Sequence, residues 1–160
     1  YGDIGRNTTR RLLAADMQVI AYDPYADEAS MEIGVSLATW PERLEEADFV
    51  VVNCALTASS HHLLNAEAFA AMKPGVRVVN VGRGPVIDEQ ALIAALASGQ
   101  VHSAALDVFE QEPLPAESPL RSHPSCVFGS HNASNTVDGV ERTSQKAIQL
   151  LAGFLQEATA

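Results

Sequence analysis

The sequence has few basic residues, few cysteines and no long apolar run. Its 10 Lys and Arg residues are outnumbered by 20 Asp and Glu residues, which gives a formal net charge of −10. Nucleic acids and anionic membranes bind basic surfaces, so we expect neither as a partner. No apolar run approaches the roughly 20 residues that a membrane-spanning helix needs. Cys54 and Cys126 stand apart without metal-ligand spacing, which is typical of a reducing compartment, and we expect a cytoplasmic location.

Short apolar segments alternate with helical patterns along the 160 residues. Strands are predicted at 18–22, 49–53, 76–81, 103–107 and 126–129. Helices are predicted from Gly5 to about residue 15 and at 40–47, 65–72, 89–98 and 134–156. This alternation predicts an α/β fold, a Rossmann-like doubly wound parallel sheet. The proline-rich stretch 110–124 is either a linker or an active-site loop.

The opening residues YGDIG match the last five positions of the dinucleotide-binding pattern G-x-G-x-x-G. Gly2 would let the backbone approach a pyrophosphate, and Gly5 would let the following helix pack against its strand. Asp23 ends the next predicted strand, where a carboxylate accepts hydrogen bonds from ribose hydroxyls and repels the extra phosphate of NADP. The glycines alone fit a simple tight turn, but the turn, helix, strand and Asp23 together predict NAD binding.

Four polar residues follow the carboxyl ends of predicted strands, where ligands bind in parallel sheets. Arg83 stands between two glycines and presents a planar fork suited to a carboxylate. Asp107 ends a strand, Glu112 opens the proline-rich loop, and His131 precedes the last helix. Each residue alone is ordinary at a surface, and only their shared position indicates a site.

These residues lie in stretches that resemble one family. The stretches are YGDIG with AYDPY, the LT of CALT, MKPGVRVVNVGRGPVID, ALDVFEQEP and the GSH before the last helix. In this order they are similar to the nucleotide-binding domain of the D-isomer-specific 2-hydroxyacid dehydrogenases, nearest to phosphoglycerate-dehydrogenase-like members. The resemblance implies three catalytic residues: Arg83, Glu112 and His131. It also implies cofactor contacts from Gly2, Asp3, Ile4, Gly5, Asp23, Leu56, Thr57, Val81, Gly82, Arg83, Asp107, His131 and Ala133.

The implied activity is hydride transfer between NAD(H) and a small 2-hydroxy or 2-oxo acid, with 3-phosphoglycerate, hydroxypyruvate and glyoxylate as candidates. The resemblance also implies a homodimer that uses part of segment 85–111. Two alternatives stay open: a non-catalytic NAD-sensing module of the corepressor type, and an inactive fragment. No metal is expected, because His61 and His62 are predicted to point apart on a helix surface.

The glycine turn of a doubly wound sheet normally follows a central first strand. We therefore expect this chain to lack that strand and the family's separate substrate domain. Residues 1–150 are predicted to form an NAD-binding domain that is incomplete at its N-terminus. Residues 151–160 are predicted to begin the return to the substrate domain.

Overall fold

The computed structural model describes residues 1–158 as parallel strands that alternate with helices. The strands are β1 Val19–Ala21, β2 Val35–Leu37, β3 Phe49–Val52, β4 Val76–Asn80, β5 Val101–Leu106 and β6 Cys126–Phe128. The α-helices are α1 Asp3–Ala14, α2 Ala66–Ala71, α3 Glu89–Ser98 and α4 Val137–Ala158. The predicted α/β class is confirmed.

The strands form two parallel sheets. β3, β4, β5 and β6 are hydrogen-bonded in that order, and β1 pairs with β2. The register aligns Val50 with Val78, and Val78 with Ala104. Each parallel neighbour is reached through a crossover, which places all carboxyl ends of β3–β6 at one edge.

The core lies around β4 and the two helices that follow the central strands. Val78 of β4 and Leu92 of α3 are each 1% exposed, and Phe69 of α2 is 2% exposed. The predicted helix starts are confirmed, because the side chains of Asn65 and Asp88 accept hydrogen bonds from Ala68 N and Ala91 N. These caps satisfy N–H groups that the first helical turn leaves unpaired.

A cleft of about 450 Å³ separates β1 from β3. Within residues 1–158, neither strand has a partner on the side that faces the cleft. The fold thus lacks the central strand, as predicted. Phe49 is 46% exposed, and a Cβ at Gly5 would meet nothing within 4 Å. Both follow from the open space, since Gly5 and Phe49 border the cleft.

Other predictions in the first third of the chain need correction. Residues 40–47 do not form a helix; Arg43 adopts a left-handed backbone with φ 62°, and only the 3-10 turn Leu44–Glu46 is helical. The strand β2 was not predicted, because Val-Ser-Leu is too short to show a periodicity. His61 and His62 do not point apart on a helix: their rings stack with centroids 4.0 Å apart.

The last helix, α4, begins at Val137 and runs through the predicted domain boundary at 150 without a break. Its apolar residues Val137 and Phe154 are 83% and 68% exposed. Lys146 ties it to α1 through a 2.7 Å ion pair with Asp3. None of the helices in the described part of the chain is both long and apolar enough to cross a membrane. The predicted segment 151–160 ends in residues 159 and 160, which lie outside the described residues.

Candidate active site

Three loops meet at the carboxyl edge of the four-stranded sheet. Residues 81–84 follow β4, residues 107–112 follow β5, and residues 129–133 follow β6. The backbone links them, because Asp107 N donates to Asn80 O and Gly129 N donates to Leu106 O. The sheet therefore brings Arg83, Glu112 and His131, three residues spread over 49 positions of sequence, to one edge.

His131 and Glu112 form a hydrogen-bonded pair. His131 Nδ1 lies 2.7 Å from Glu112 Oε2, and Phe109 N donates to Glu112 Oε1 at 3.0 Å. The hydrogen bond with His131 lowers the pKa of Glu112, and the Phe109 N–H and the charge of Arg83 act in the same direction. An ionised carboxylate only accepts hydrogen bonds, so Nδ1 must carry the proton. Nε2 is then the nitrogen that remains for a reacting group.

The loop that carries His131 is held by Asp107. The carboxylate oxygens of Asp107 accept from Asn132 N at 3.2 Å and from Ala133 N at 2.9 Å. Asp107 O accepts from His131 N at 2.8 Å, and His131 has a left-handed backbone with φ 57°. A Cβ at Gly129 would lie 2.0 Å from Asp107 Oδ1. Asp107 therefore anchors a turn whose conformation is rare for a non-glycine residue.

Arg83 lies exposed on a loop that both neighbouring glycines make possible. A Cβ at Gly82 would lie 2.9 Å from Cys54 O, and one at Gly84 would lie 1.8 Å from Phe109 O. Side chains at either position would push the loop away from the end of β3 or from the segment that leads to Glu112. The guanidinium of Arg83 donates only to Gly82 O, at 2.8 Å, among the hydrogen bonds of residues 1–158. Its remaining donors are available for a ligand.

The glycine turn lies at the N-terminus of α1, and Asp23 lies beside it. Gly2 is the N-cap and offers no side chain, so N–H groups of the first turn stay available for an anion. Asp23 Oδ2 lies 2.6 Å from the backbone nitrogen of Tyr1, and Oδ1 accepts from Tyr25 N at 2.9 Å. A dinucleotide fits this donor set, with N–H groups for phosphate and a carboxylate for ribose hydroxyls.

Asp3 and Ile4, the first two residues of α1, have side chains that point away from a role in binding phosphate. Asp3 pairs with Lys146, and Ile4 is 58% exposed. The groups that residues 3 and 4 can offer a phosphate are their backbone N–H groups, because an Asp3 carboxylate would repel it.

Leu56 and Thr57 lie in the loop after β3, which Ser60 closes. Ser60 is 8% exposed; its hydroxyl accepts from Thr57 N at 2.8 Å and donates to Ala55 O at 2.7 Å. Leu56 is left 42% exposed. The sequence reasoning missed Ser60 and also Asn80, which is 1% exposed beneath Arg83. The threonine and serine three residues apart signal a local turn, but nothing in the sequence marks Asn80 as buried.

The family model for the D-isomer specific 2-hydroxyacid dehydrogenase NAD-binding domain matches residues 1–133. The chain belongs to this family. The match ends at Ala133 and so contains every predicted site residue. The domain that this family model describes binds NAD, which agrees with the glycine turn and Asp23.

Two relatives have names that describe dehydrogenase or reductase activities. The chain is 40% identical over 157 residues to D-3-phosphoglycerate dehydrogenase 3, chloroplastic, of Arabidopsis thaliana, covering 98% of this chain and 27% of that protein. It is 53% identical over 113 residues to glyoxylate/hydroxypyruvate reductase B of Escherichia coli, covering 71% of this chain and 35% of that protein.

Solved structures agree in fold. D-lactate dehydrogenase from Aquifex aeolicus, complexed with NAD and lactic acid, superposes with a TM-score of 0.81 at 27% identity, covering 98% of this chain and 51% of that one. A glyoxylate reductase from Paecilomyes thermophila gives a TM-score of 0.81 at 35% identity, covering 89% and 43%. The chain thus spans about a quarter to a half of the length of these relatives.

Proposed function

We propose that this chain is the cofactor-binding part of an NAD-dependent D-2-hydroxyacid dehydrogenase. The reaction moves a hydride between NAD(H) and a small 2-hydroxy or 2-oxo acid. The observation that carries the proposal is the His131–Glu112 hydrogen bond of 2.7 Å at the sheet edge that also presents Arg83. An acid–base group, an orienting carboxylate and a carboxylate-binding cation are the groups that this reaction needs.

Reduction of a 2-oxo acid adds a hydride to the carbonyl carbon and a proton to its oxygen. NADH, when bound, supplies the hydride. Protonated His131 donates the proton from Nε2, and neutral His131 takes it back from the hydroxyl in the oxidation direction. Glu112 fixes the tautomer and balances the positive charge of the imidazolium. Arg83 binds the substrate carboxylate and polarises the carbonyl.

The proposal assigns different residues to the pyrophosphate and to the adenosine ribose of the cofactor. Gly2 and the first N–H groups of α1 hold the pyrophosphate, and Asp23 accepts from the adenosine ribose. Asp23 also supports NAD over NADP, because its carboxylate would repel a 2′-phosphate. The other residues proposed to contact the cofactor are Gly5, Leu56, Thr57, Val81, Gly82, Asp107 and Ala133.

The test is turnover by the complete polypeptide that contains this chain. Glyoxylate, hydroxypyruvate and phosphohydroxypyruvate are offered with NADH and, separately, with NADPH, and the loss of reduced cofactor is followed. We expect turnover of at least one acid and a clear preference for NADH. Binding of NADH without turnover of any acid would favour the corepressor-type module. The 160-residue chain is assayed in parallel, because the inactive-fragment alternative concerns only that form.

Homodimer formation through segment 85–111, a cytoplasmic location and the domain division at residue 150 stay predictions. One relative is named chloroplastic, so family membership does not fix the compartment. Sedimentation of the complete polypeptide with and without a charge substitution at exposed Glu110 tests the dimer surface.

A further inference from the structure

We propose that Asn80 is a positioning residue for Arg83. Asn80 is the last residue of β4 and is 1% exposed, yet it is polar and carries no charge. Burying an amide costs free energy unless its polar atoms are hydrogen-bonded. Its two side-chain partners are both in the loop that presents Arg83. The inference rests on the proposed function, because it concerns the group that would bind the substrate carboxylate.

The side chain of Asn80 holds the backbone on both sides of Arg83. Oδ1 accepts from Gly82 N at 3.0 Å, and Nδ2 donates to Arg83 O at 3.1 Å. Val86 N also donates to Arg83 O, at 3.3 Å, and so closes the turn that follows. One buried amide therefore fixes the backbone from which the Arg83 side chain projects at the sheet edge.

An amide is the side chain that this place requires. It must accept one hydrogen bond and donate another, and Asn does both, whereas ionised Asp only accepts and Leu does neither. Side chains of residues 82–84 do not pack to hold the loop, since Gly82 and Gly84 have none and Arg83 is exposed. The backbone O of Asn80 accepts from Asp107 N at 3.0 Å, which ties the same residue to the strand whose end anchors the His131 loop.

The variant that isolates this role is Asn80→Asp in the complete polypeptide. It keeps the size and the acceptor for Gly82 N but replaces the donor to Arg83 O with an oxygen. We expect the KM for the preferred 2-oxo acid to rise about tenfold, the cost of one lost buried hydrogen bond. The thermal midpoint should fall as well, because the new carboxylate oxygen is buried beside Arg83 O, so the rise in KM and its dependence on Arg83 carry the test. The matched control is Asn65→Asp, which keeps the side-chain acceptor for Ala68 N and should leave KM unchanged.

The same substitution in an Arg83→Ala variant separates positioning of Arg83 from a general structural role. If Asn80 acts through Arg83, Asn80→Asp should have no effect on KM when Arg83 is already replaced in Arg83→Ala. An unchanged KM in the single variant would overturn the inference, and so would a rise in KM that persists in the Arg83→Ala background. A lower thermal midpoint with an unchanged KM would mean that Asn80 only supports the fold. A wild type without turnover would refute the proposed function itself.

Discussion

The two parts of this molecule are packed very differently, although their sequences use similar short apolar strands. In the four-stranded part, Val76 and Val78 of β4 are each 1% exposed, and neighbouring strands cover both of their edges. In the two-stranded part, Val19 and Ile20 are only half-buried beside an open cleft. The difference teaches that burial of a strand depends on its neighbours. An apolar run of valines predicts a strand, but not whether its edges are covered.

The two parts also carry different groups of the proposed site. The N-terminal part carries the glycine turn and Asp23, which would hold the adenosine end of the cofactor. The four-stranded part carries the edge with Arg83, Glu112 and His131. Substitutions at the glycine turn should therefore affect cofactor affinity most, and substitutions at His131 should affect turnover most.

The largest effect is expected from His131→Ala. We expect turnover to fall by about 10²–10⁴-fold, because a general acid–base group is lost. NADH should still bind, since the glycine turn and Asp23 lie in the other part of the molecule. Steady-state kinetics and NADH fluorescence titration measure the two quantities. Full turnover in the variant would remove His131 from the mechanism, and lost NADH binding would contradict the division of work.

The packing contrast is tested by two phenylalanines. Phe69 is 2% exposed in α2, and its replacement by Ala should lower the free energy of unfolding by about 3–5 kcal/mol. Phe49 is 46% exposed at the cleft, and Phe49→Ala should cost about 1 kcal/mol or less. Urea unfolding of the two variants gives both values. Equal losses would mean that another strand covers β3 in the protein tested.

Helix caps give a smaller contrast of the same kind. Asp88→Ala removes the acceptor for Ala91 N at the start of α3 and should cost about 1 kcal/mol. Asp27→Ala removes a similar bond to Ser30 N in the two-stranded part, where only a three-residue 3-10 turn is capped. We expect the second loss to be smaller, by thermal or urea unfolding. The reverse order would show that the N-terminal part is the more cooperative one.

The smallest expected effect is the pH dependence contributed by Glu112. Its pKa in the folded protein lies below the ordinary value of 4.5, chiefly because of the hydrogen bond with His131. The unfolded state therefore takes up this proton first as pH falls. The contribution is fully present above pH 4.5 and is lost as pH decreases through the lowered pKa.

The matching measurement compares wild type with Glu112→Gln by urea unfolding from neutral to acidic pH. The stability difference between the two should be constant at neutral pH and should shrink as the solution becomes acidic. A difference that grows on acidification would contradict the sign of the shift. The effect should be modest, because the Glu112 side chain is 35% exposed and solvent screens its interactions.

Much of this molecule follows from local sequence patterns. Asn65 and Asp88 mark helix starts because their side chains replace missing backbone partners, and Gly99 ends α3 with φ 80°. The prediction of a helix at 40–47 is wrong, because no local pattern in this segment marks the left-handed backbone at Arg43. The tiny strand β2 is defined by its pairing with β1 and has no pattern of its own.

The sequence by itself determined the alternation of strands and helices, the glycine turn with its acid, and the candidate polar groups at strand ends. These are local properties of backbone preference and side-chain chemistry. Only the tertiary structure decided that Glu112 contacts His131, that Asp107 anchors the His131 turn, and that Asn80 lies beneath Arg83. Such contacts join residues far apart in the chain, and they exist because parallel strands bring their carboxyl ends to one edge.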